Sequence, residues 1–500
     1  PRCGNEDPSW FYLGSKGWYC RRCVGFSRRL ACEAKEPVVP ELSEPLDPQL
    51  RLDYPLTPNQ KKISDQLCEL SETHDVLVDA VCGAGKTEIV MDCLRRRLQR
   101  GQRAAVIGAL AGEPRCQGSG SSRIHPWRLD SPWEALCKEL PDAVYVPGYD
   151  LAAEESQSEQ IAQALEAVRG KDIVYLFAGL PESWECEGFD RTHLRLPAGQ
   201  EALIEAVCRE NPRTVVILLS GGALELPWAD RPGAILLAHL GGEAVGTAVA
   251  KLLLGDLSPS GKLAETFPLS LADTPPAGCY PARHVAQHRE SLYVGYRYYD
   301  AAGKAVRYPF GHGLSYARFA YSGLSVQRAG EQLVVRCRIE NVGSMTAAET
   351  VQLYLAPPRK VAFAPPQILT GFARRTLAPG EAAEITFTLT RRDVSYYSHA
   401  GKCWKVEGGV YELRLGASSR DIRLRAAIEW PGDDVCPADA ANWAACPHYA
   451  KVDGVFPKEE FERLLGWAVP CYRPPQKGEY TLNTMPEELA SCRAGRALLC

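Results

Sequence analysis

The strongest constraint in this sequence is a change in the period of its apolar residues near residue 323. From Ala104 to Ala238, short apolar runs alternate with stretches that carry an apolar residue every three to four positions, such as Ile161, Leu165 and Val168. Alternating strands and helices predict a mostly parallel, doubly wound α/β sheet, because parallel strands need a crossover between them. Strands are expected at residues 104–107, 143–146, 173–178, 214–219 and 234–238, with helices near 161–168 and 202–207.

Beyond residue 323 the apolar period is two. Val335, Cys337 and Ile339 share one face of a strand, and a second strand near residue 387 follows the same alternation. Pro379-Gly380 and Glu407-Gly408-Gly409 supply turns. About seven short strands in roughly 105 residues predict a β-sandwich. The last 70 or so residues are expected to hold one helix, at residues 457–465, which begins at a proline and stops at Gly466.

A chain of 500 residues is too long for one hydrophobic core. We divide it into a Cys-rich segment with a linker (1–50), a partial P-loop unit (51–103), an α/β domain (104–275), a connector (276–322), a β-sandwich (323–430) and a tail (431–500). The net charge of −4 argues against DNA as a partner, and no apolar run is long enough to predict a membrane span. Because the chain starts at Pro1 and ends at Cys500, we expect a fragment at both ends.

The cysteines predict a compartment and one metal site. There are 19, an odd number, and several lie in apolar runs, which favours a reducing cytoplasm over a disulfide framework. Cys20 and Cys23 form a C-x2-C pair, and Cys3 has the spacing of an earlier pair, so the three are candidate zinc ligands. Cys32 is an alternative fourth ligand, and free thiols are the alternative to zinc.

A glycine loop follows the apolar run at residues 76–81. Gly83, Gly85, Lys86 and Thr87 have the pattern of a phosphate-binding loop, in which Lys86 would contact the β/γ-phosphates of ATP and Thr87 would hold Mg²⁺. With the C-x2-C pair, this region resembles the zinc-bearing late competence DNA-uptake helicases of the DEAD-box superfamily. An ATP-dependent DNA translocase fragment is therefore the alternative function. The resemblance stops near Arg103, and no Asp-Glu-x-Asp/His motif follows to support ATP hydrolysis.

Most of the remaining chain carries long strings that resemble another family. They are Cys116-Gln-Gly-Ser-Gly-Ser-Ser122, Glu187-Gly-Phe-Asp-Arg191, Ser258-Pro-Ser-Gly-Lys-Leu-Ala-Glu-Thr-Phe-Pro268, Tyr293-Val-Gly-Tyr-Arg-Tyr-Tyr-Asp300 and Tyr308-Pro-Phe-Gly-His-Gly-Leu-Ser-Tyr316. Residues 104 to about 430 resemble the C-terminal part of glycoside hydrolase family 3, and most of all its bacterial β-glucosidases. The resemblance implies an α/β-sandwich followed by a fibronectin type III-like domain, a β-glucoside or oligosaccharide substrate, and hydrolysis without a cofactor.

By this resemblance Glu187 is the catalytic acid/base. It also falls in the loop after the strand predicted at 173–178, at the carboxyl edge of the sheet, where open α/β folds bind ligands. Glu182 and Glu185 in the same loop are alternatives, and so is a solvated acidic loop without function. The resemblance places a second set of residues at the border of the sugar site, for which a polar turn is the alternative: Gln117, Gly118, Ser119, Gly120, Ser121 and Ser122.

Other polar residues of the matching strings are given structural roles. Asp190 and Arg191 are expected to form an ion pair, Glu265 to be structural, and His312 to be a turn residue. The tyrosines of the connector either line a sugar subsite or pack at a domain seam: Tyr293, Tyr296, Tyr298 and Tyr299.

The family also has a (β/α)₈ barrel that carries the nucleophilic aspartate, and no barrel sequence precedes Ala104. Retaining hydrolysis needs two carboxyl groups, so this chain is expected to be inactive alone. A gene fusion or misassembled reading frame at Arg103/Ala104 is the expected origin of the mixed sequence. A non-catalytic module that binds carbohydrate, or a barrel in trans, is a third hypothesis.

Overall fold

The computed structural model divides into two compact units, residues 1–47 and 48–500. In the first unit it describes the backbone of β1 (Phe11–Gly14) and β2 (Gly17–Cys20), which pair as an antiparallel hairpin. In the second it describes the chain from residue 103 onward except for 153–157, 188–190, 276–285, 471–472, 474, 477–478, 482–483, 490–495 and 497–500. The predictions for Cys3, Cys23, Cys32 and the phosphate loop at 83–87 lie outside the described residues, and of Cys20 only the backbone is described.

A five-stranded parallel sheet forms the first part of the described second unit. Its strands are β3 (Ala104–Ile107), β4 (Val144–Val146), β5 (Ile173–Gly179), β6 (Thr214–Leu219) and β7 (Ala234–Leu237), in the spatial order β4-β3-β5-β6-β7. Each strand predicted from the sequence is confirmed to within one residue. All four residues of β3 are buried, as expected of a strand whose sheet is covered on both faces.

Helices cover this sheet. They are α1 (Ala109–Gly112), α2 (Pro132–Glu139), α3 (Ser158–Val168), α4 (Ala198–Glu210) and α5 (Val245–Leu253). The two helices expected near 161–168 and 202–207 are confirmed as parts of α3 and α4. At the start of α2, the Ser131 hydroxyl accepts a hydrogen bond from the Glu134 N–H, 3.1 Å away, and Pro132 occupies the first turn. Both features favour a helix start there.

The strand order reverses between β3 and β5. The first crossover runs from β3 outward to β4, and the chain then returns to β5 on the other side of β3. Gly108 allows the exit from β3, because its φ is +112° and a Cβ there would lie 2.1 Å from the carbonyl oxygen of Phe177 in β5. The chain therefore leaves the neighbouring strands β3 and β5 in opposite directions along the sheet. The place between them is the topological switch point, where such sheets usually bind ligands.

An antiparallel sandwich follows the strand pair β8 (Phe267–Pro268) and β9 (Val306–Tyr308) and the intervening helix α6 (Tyr296–Ala301). Its strands are β10 (Phe319–Ala329), β11 (Gln332–Asn341), β12 (Ala347–Ala356), β13 (Ile368–Leu377), β14 (Ala382–Leu389), β17 (Gly409–Gly416) and β18 (Ile422–Trp430). Sheets β10-β11-β14 and β13-β12-β17-β18 face each other across one core. A hairpin of β15 (Ser395–Ser398) and β16 (Cys403–Val406) lies between β14 and β17. The seven-stranded sandwich is confirmed.

The tail contains more helix than the sequence predicted. Besides α9 (Lys458–Leu465), which ends at Gly466 with φ +87°, the described part includes α7 (Pro437–Ala445), α8 (Pro447–Ala450) and α10 (Pro486–Leu489). The prediction of one helix was therefore wrong. The additional helices are short, and α7 and α8 bury few of their own side chains, so these two lack the apolar stripe by which a helix is recognised. The prolines at the first position of the helices were the available signal.

The connector tyrosines pack against this tail. Tyr293, Tyr298 and Tyr299 are buried in one cluster with Tyr449 and Phe456 of the tail. The Tyr293 hydroxyl donates to the carbonyl oxygen of Tyr449 at 2.5 Å. Because these three rings are buried, they correspond to tyrosines that pack at a domain seam and not to tyrosines that line a sugar subsite.

His312 lies in a turn, as expected. Its N–H donates to the carbonyl oxygen of Pro309, and its ring stacks on Tyr308 with 5.1 Å between ring centres.

Candidate active site

Two loops meet at the switch point of the parallel sheet. The loop after β5 contains an acidic turn (residues 181–187) with Glu182, Glu185 and Glu187, and the loop after β3 contains a polar segment (residues 115–121). Side-chain hydrogen bonds join the two loops, although about 65 to 70 residues separate the partners in sequence. The structure thus brings together the two sets of residues that the sequence marked as a candidate site.

Every second side chain of the polar segment makes a bond that fixes one of these loops. Arg115 contacts Glu185, Ser119 donates to the carbonyl oxygens of Glu182 and Glu185 at 3.0 Å, and Ser121 donates to Glu187.

Gln117 closes the polar segment into a ring. Its side-chain amide donates to the carbonyl oxygen of Ile124 at 2.7 Å, and its amide oxygen accepts from the Ile124 N–H at 2.8 Å. Both ends of the amide are thereby engaged by the backbone. Gly118 lies within this ring, Ser122 ends the 3₁₀ turn Gly120–Ser122, and the side chain of Ser122 is outside the described residues.

Glu187 is an exposed carboxylate of the acidic turn. It accepts hydrogen bonds from the Ser121 N–H at 3.3 Å and from the Ser121 hydroxyl. These donors hold the pKa of the Glu187 carboxyl below its usual range, because both stabilise the charged form. Gly120 permits this approach: its φ is +83°, and a Cβ there would lie 3.0 Å from the Cβ of Glu187.

Glu185 points into the protein instead. Its carboxylate lies 2.5 Å from Nη1 of Arg115 and also accepts from the Gly221 N–H at 2.9 Å, in the loop after β6. Arg115 is only 9% exposed. A carboxylate held by a buried guanidinium and a backbone N–H is suited to fixing a loop and poorly placed to protonate a ligand.

Glu182 is exposed and pairs with Arg123 across 3.5 Å. Both side chains are largely solvated, so this ion pair contributes little to order in the turn. Of the three acidic residues weighed from the sequence, Glu187 therefore best combines exposure with directed hydrogen bonds.

Arg191 and Glu265 lie beside Glu185. Burial lowers the pKa of the Arg191 guanidinium, which also feels Glu185 and Glu265, and burial raises the pKa of the Glu265 carboxyl. Nη1 of Arg191 donates to the carbonyl oxygen of Ala223 at 3.5 Å. The predicted Asp190–Arg191 pair stays a prediction, since residue 190 is outside the described residues.

Sequence reasoning missed Arg115 and an apolar patch beside the site. Ile124, Trp127 and Leu129 follow the polar segment and are exposed, Trp127 to 94%. Three large apolar side chains exposed within six residues are a signal of an interaction surface. The available signal for Arg115 was the polar residue at every second position from 115 to 121: Arg115, Gln117, Ser119 and Ser121.

Among the described residues, no group of three or more His, Cys, Asp or Glu side chains is arranged to hold a metal ion. None of the helices in the described part of the chain has the length and apolar character needed to cross a membrane.

A parallel α/β sheet with a carboxylate at its switch point, followed by an antiparallel sandwich, is the architecture that the resemblance to glycoside hydrolases implies. Residues 98–316 match the Glycosyl hydrolase family 3 C-terminal domain, and residues 349–419 match the Fibronectin type III-like domain. This part of the chain is therefore a glycosyl hydrolase family 3 C-terminal domain with its fibronectin type III-like companion. The first match begins ahead of the junction predicted at Arg103/Ala104, and neither match supports the helicase hypothesis.

Individual relatives agree with this assignment. The chain is 42% identical over 339 residues to thermostable beta-glucosidase B of Acetivibrio thermocellus, which covers 66% of this chain and 45% of the relative. It is 39% identical over 360 residues to an exo-alpha-(1->6)-L-arabinopyranosidase of Bifidobacterium longum, covering 70% and 47% respectively. A crystal structure of a GH3 beta-glucosidase from Bifidobacterium adolescentis superposes with a TM-score of 0.65 and 33% identity over 87% of this chain and 60% of that one. The chain spans about half the length of the curated relatives it matches.

Proposed function

We propose that this chain is the acid/base-bearing portion of a retaining β-glycosidase, with Glu187 as the acid/base. The observation that carries the proposal is the exposed Glu187 carboxylate at the switch point of the sheet, on a turn that side chains of the polar segment hold in place. Retaining hydrolysis needs a second carboxyl group about 5–5.5 Å away as the nucleophile. We infer that the (β/α)₈ barrel implied by the family resemblance supplies it.

The pKa of Glu187 bears on this role. In the first step the residue must donate a proton to the leaving oxygen, yet Ser121 favours its charged form. A second carboxylate nearby, together with loss of water from the site, would raise the pKa of Glu187. Docking of the barrel would thus convert a solvated carboxylate into an acid.

The exposed patch of Ile124, Trp127 and Leu129 supports such docking. It borders the polar segment, and an apolar surface of this kind is typical of an interface. We infer that the barrel covers this patch and that the isolated chain is inactive.

The substrate class follows from the relatives. Those cited above are a β-glucosidase and an α-L-arabinopyranosidase. We propose β-glucosides or short oligosaccharides as substrates, with α-L-arabinopyranosides as the competing specificity. The proposed hydrolysis uses carboxyl groups and water and requires no cofactor.

The cysteines support a cytoplasmic location. The eight in the described part are free thiols, three of them buried. Free buried thiols are usual in a reducing compartment.

The domain limits predicted from the sequence are retained as part of this proposal.

A reconstitution experiment tests the function. The chain is mixed with the part of the Acetivibrio thermocellus relative that it does not span, and hydrolysis of aryl β-glucosides and aryl α-L-arabinopyranosides is measured. We expect activity only in the mixture. Glu187→Gln should reduce kcat by about 10²–10⁴-fold for a poor leaving group, and far less for dinitrophenol, which leaves without a proton.

Glu182→Gln is the matched control, because it removes an exposed carboxylate from the same turn and should leave kcat unchanged. Hydrolysis by the chain alone would contradict the proposed division of the site. A mixture that is inactive, or indifferent to Glu187→Gln, would contradict the role of Glu187.

A further inference from the structure

We propose that Arg115 is the positioning residue of this site: it locks Glu185 and thereby fixes the direction of the Glu187 carboxylate. The inference rests on the proposed function of Glu187 and deepens it. Arg115 itself would not touch the substrate, since it is buried beneath the acidic turn.

The contacts of Arg115 reach three points of the loop after β5. Nη1 lies 2.5 Å from the Glu185 carboxylate and 3.4 Å from the carbonyl oxygen of Leu180, and Nη2 donates to the carbonyl oxygen of Glu185 at 3.0 Å. One planar group thus holds the start of the turn, a side chain within it and its backbone. Only the fork of a guanidinium offers donors in this arrangement.

A second contact holds Glu185 from the side of the loop after β6. The same carboxylate accepts from the Gly221 N–H, so the turn is tied to the loop after β6 as well. A buried ion pair with an additional backbone donor is costly to break, because removing one partner leaves the other charge buried and unpaired. The position of Glu185 is therefore determined from two sides.

One residue, Cys186, separates Glu185 from Glu187, and Arg115 begins the segment whose Ser121 binds Glu187. Arg115 is consequently linked to both partners of the Ser121–Glu187 contact. It is linked to Glu187 through Glu185 in the acidic turn, and to Ser121 through the backbone of the polar segment. If Arg115 releases Glu185, the turn can shift relative to Ser121. The low pKa of Glu187 depends on that contact and reports on the shift.

The decisive experiment is a titration of Glu187 in the isolated chain. Glutamate carboxyls are labelled with ¹³C, and the Glu187 signal is identified by its absence in Glu187→Gln. Arg115→Lys keeps the charge and loses the fork, so we expect the pKa of Glu187 to rise toward the usual range for a glutamate. Arg123→Gln is the matched control, because Arg123 contacts the same turn from solvent and should leave this pKa unchanged.

Glu185→Gln provides a second variant that keeps Arg115 and the shape of the side chain. Glu185→Gln should also raise the pKa of Glu187. The inference can therefore still be tested if Arg115→Lys does not fold. An unchanged pKa in the folded variants would overturn the inference, whether or not the reconstituted mixture is active.

Kinetics in the mixture give a separate readout. A misplaced acid should lower kcat up to about 10²-fold for poor leaving groups, with KM and dinitrophenyl turnover nearly unchanged. Equal losses for all leaving groups would indicate general damage and overturn the positioning role. An inactive wild-type mixture would count against the proposed function, while the titration still decides the role of Arg115.

Discussion

The parallel sheet and the sandwich use their buried charges differently. In the parallel sheet, the Arg115–Glu185 pair lies at the carboxyl edge and secures a turn whose neighbouring residue, Glu187, is exposed. At the sandwich, Lys262 and Glu349 form a buried pair at 3.1 Å that joins the segment after α5 to β12. Both pairs are largely shielded from water. The Arg115–Glu185 pair supports an open site, whereas the Lys262–Glu349 pair fastens the seam between the sandwich and the segment after α5.

This difference follows from strand direction. Parallel strands end together at one edge, so their loops converge and leave polar groups free for a ligand. The antiparallel strands of the sandwich alternate buried and exposed residues, and their buried side chains fill the core between the two sheets.

The largest expected effect breaks the parallel sheet itself. Gly108→Ala places a Cβ 2.1 Å from the Phe177 carbonyl oxygen at a φ of +112°. We expect a loss of at least about 3 kcal/mol in the free energy of unfolding, measured by chemical denaturation. Gly170→Ala is the control, since its φ is +66° with nothing within 4 Å, and it should cost only about 1–2 kcal/mol. Equal losses in the two variants would show that the close approach at Gly108 is unimportant.

A smaller effect is expected at the seam. Lys262→Met leaves the buried Glu349 carboxylate without its cation and should cost about 2–3 kcal/mol, because the Tyr321 hydroxyl and the Thr350 N–H still donate to it. Adding Glu349→Gln should recover most of that loss in a thermal or denaturant melt. The exposed pair of Arg336 and Glu384 serves as comparison, because Arg336→Gln should cost no more than about 1 kcal/mol. If Lys262→Met behaves like Arg336→Gln, the seam does not depend on this pair.

The smallest effect concerns the tail and depends on pH. Nδ1 of His448 lies 2.5 Å from the Glu460 carboxylate, which raises the pKa of the imidazole above its usual 6.5. The contribution to stability is therefore complete below about pH 6.5 and is lost as pH rises through the raised pKa. His448→Gln should lower Tm at pH 5.5 and leave it unchanged at pH 9. His399 is exposed in the turn between β15 and β16, so His399→Gln should have no effect at either pH. A pH-independent change in Tm would exclude the ion pair as its cause.

The sequence was most informative where burial is complete. Strands β3, β5 and β6 were located almost to the residue, because strands covered on both faces appear as continuous apolar runs. The sandwich was recognised from its alternation, because its strands bury one face and leave the other more accessible. Helices α7 and α8 were missed, since few of their side chains are buried and no apolar stripe marks them.

The candidate site was only partly predictable. The position of Glu187 followed from the strand before it, and the Gly/Ser pattern pointed to its neighbour. The choice among Glu182, Glu185 and Glu187 needed the partners of each carboxylate, and those partners lie 59 to 70 residues away in sequence. No local pattern encodes such pairings.

The amide of Gln117 imitates a strand-to-strand bridge, with one donor and one acceptor facing the backbone of Ile124. The segment between these two residues is thereby closed on itself, and Ser119 and Ser121 also tie it to the acidic turn. A substitution of Gln117 would consequently displace both hydroxyls at once, and with them the Glu187 carboxylate.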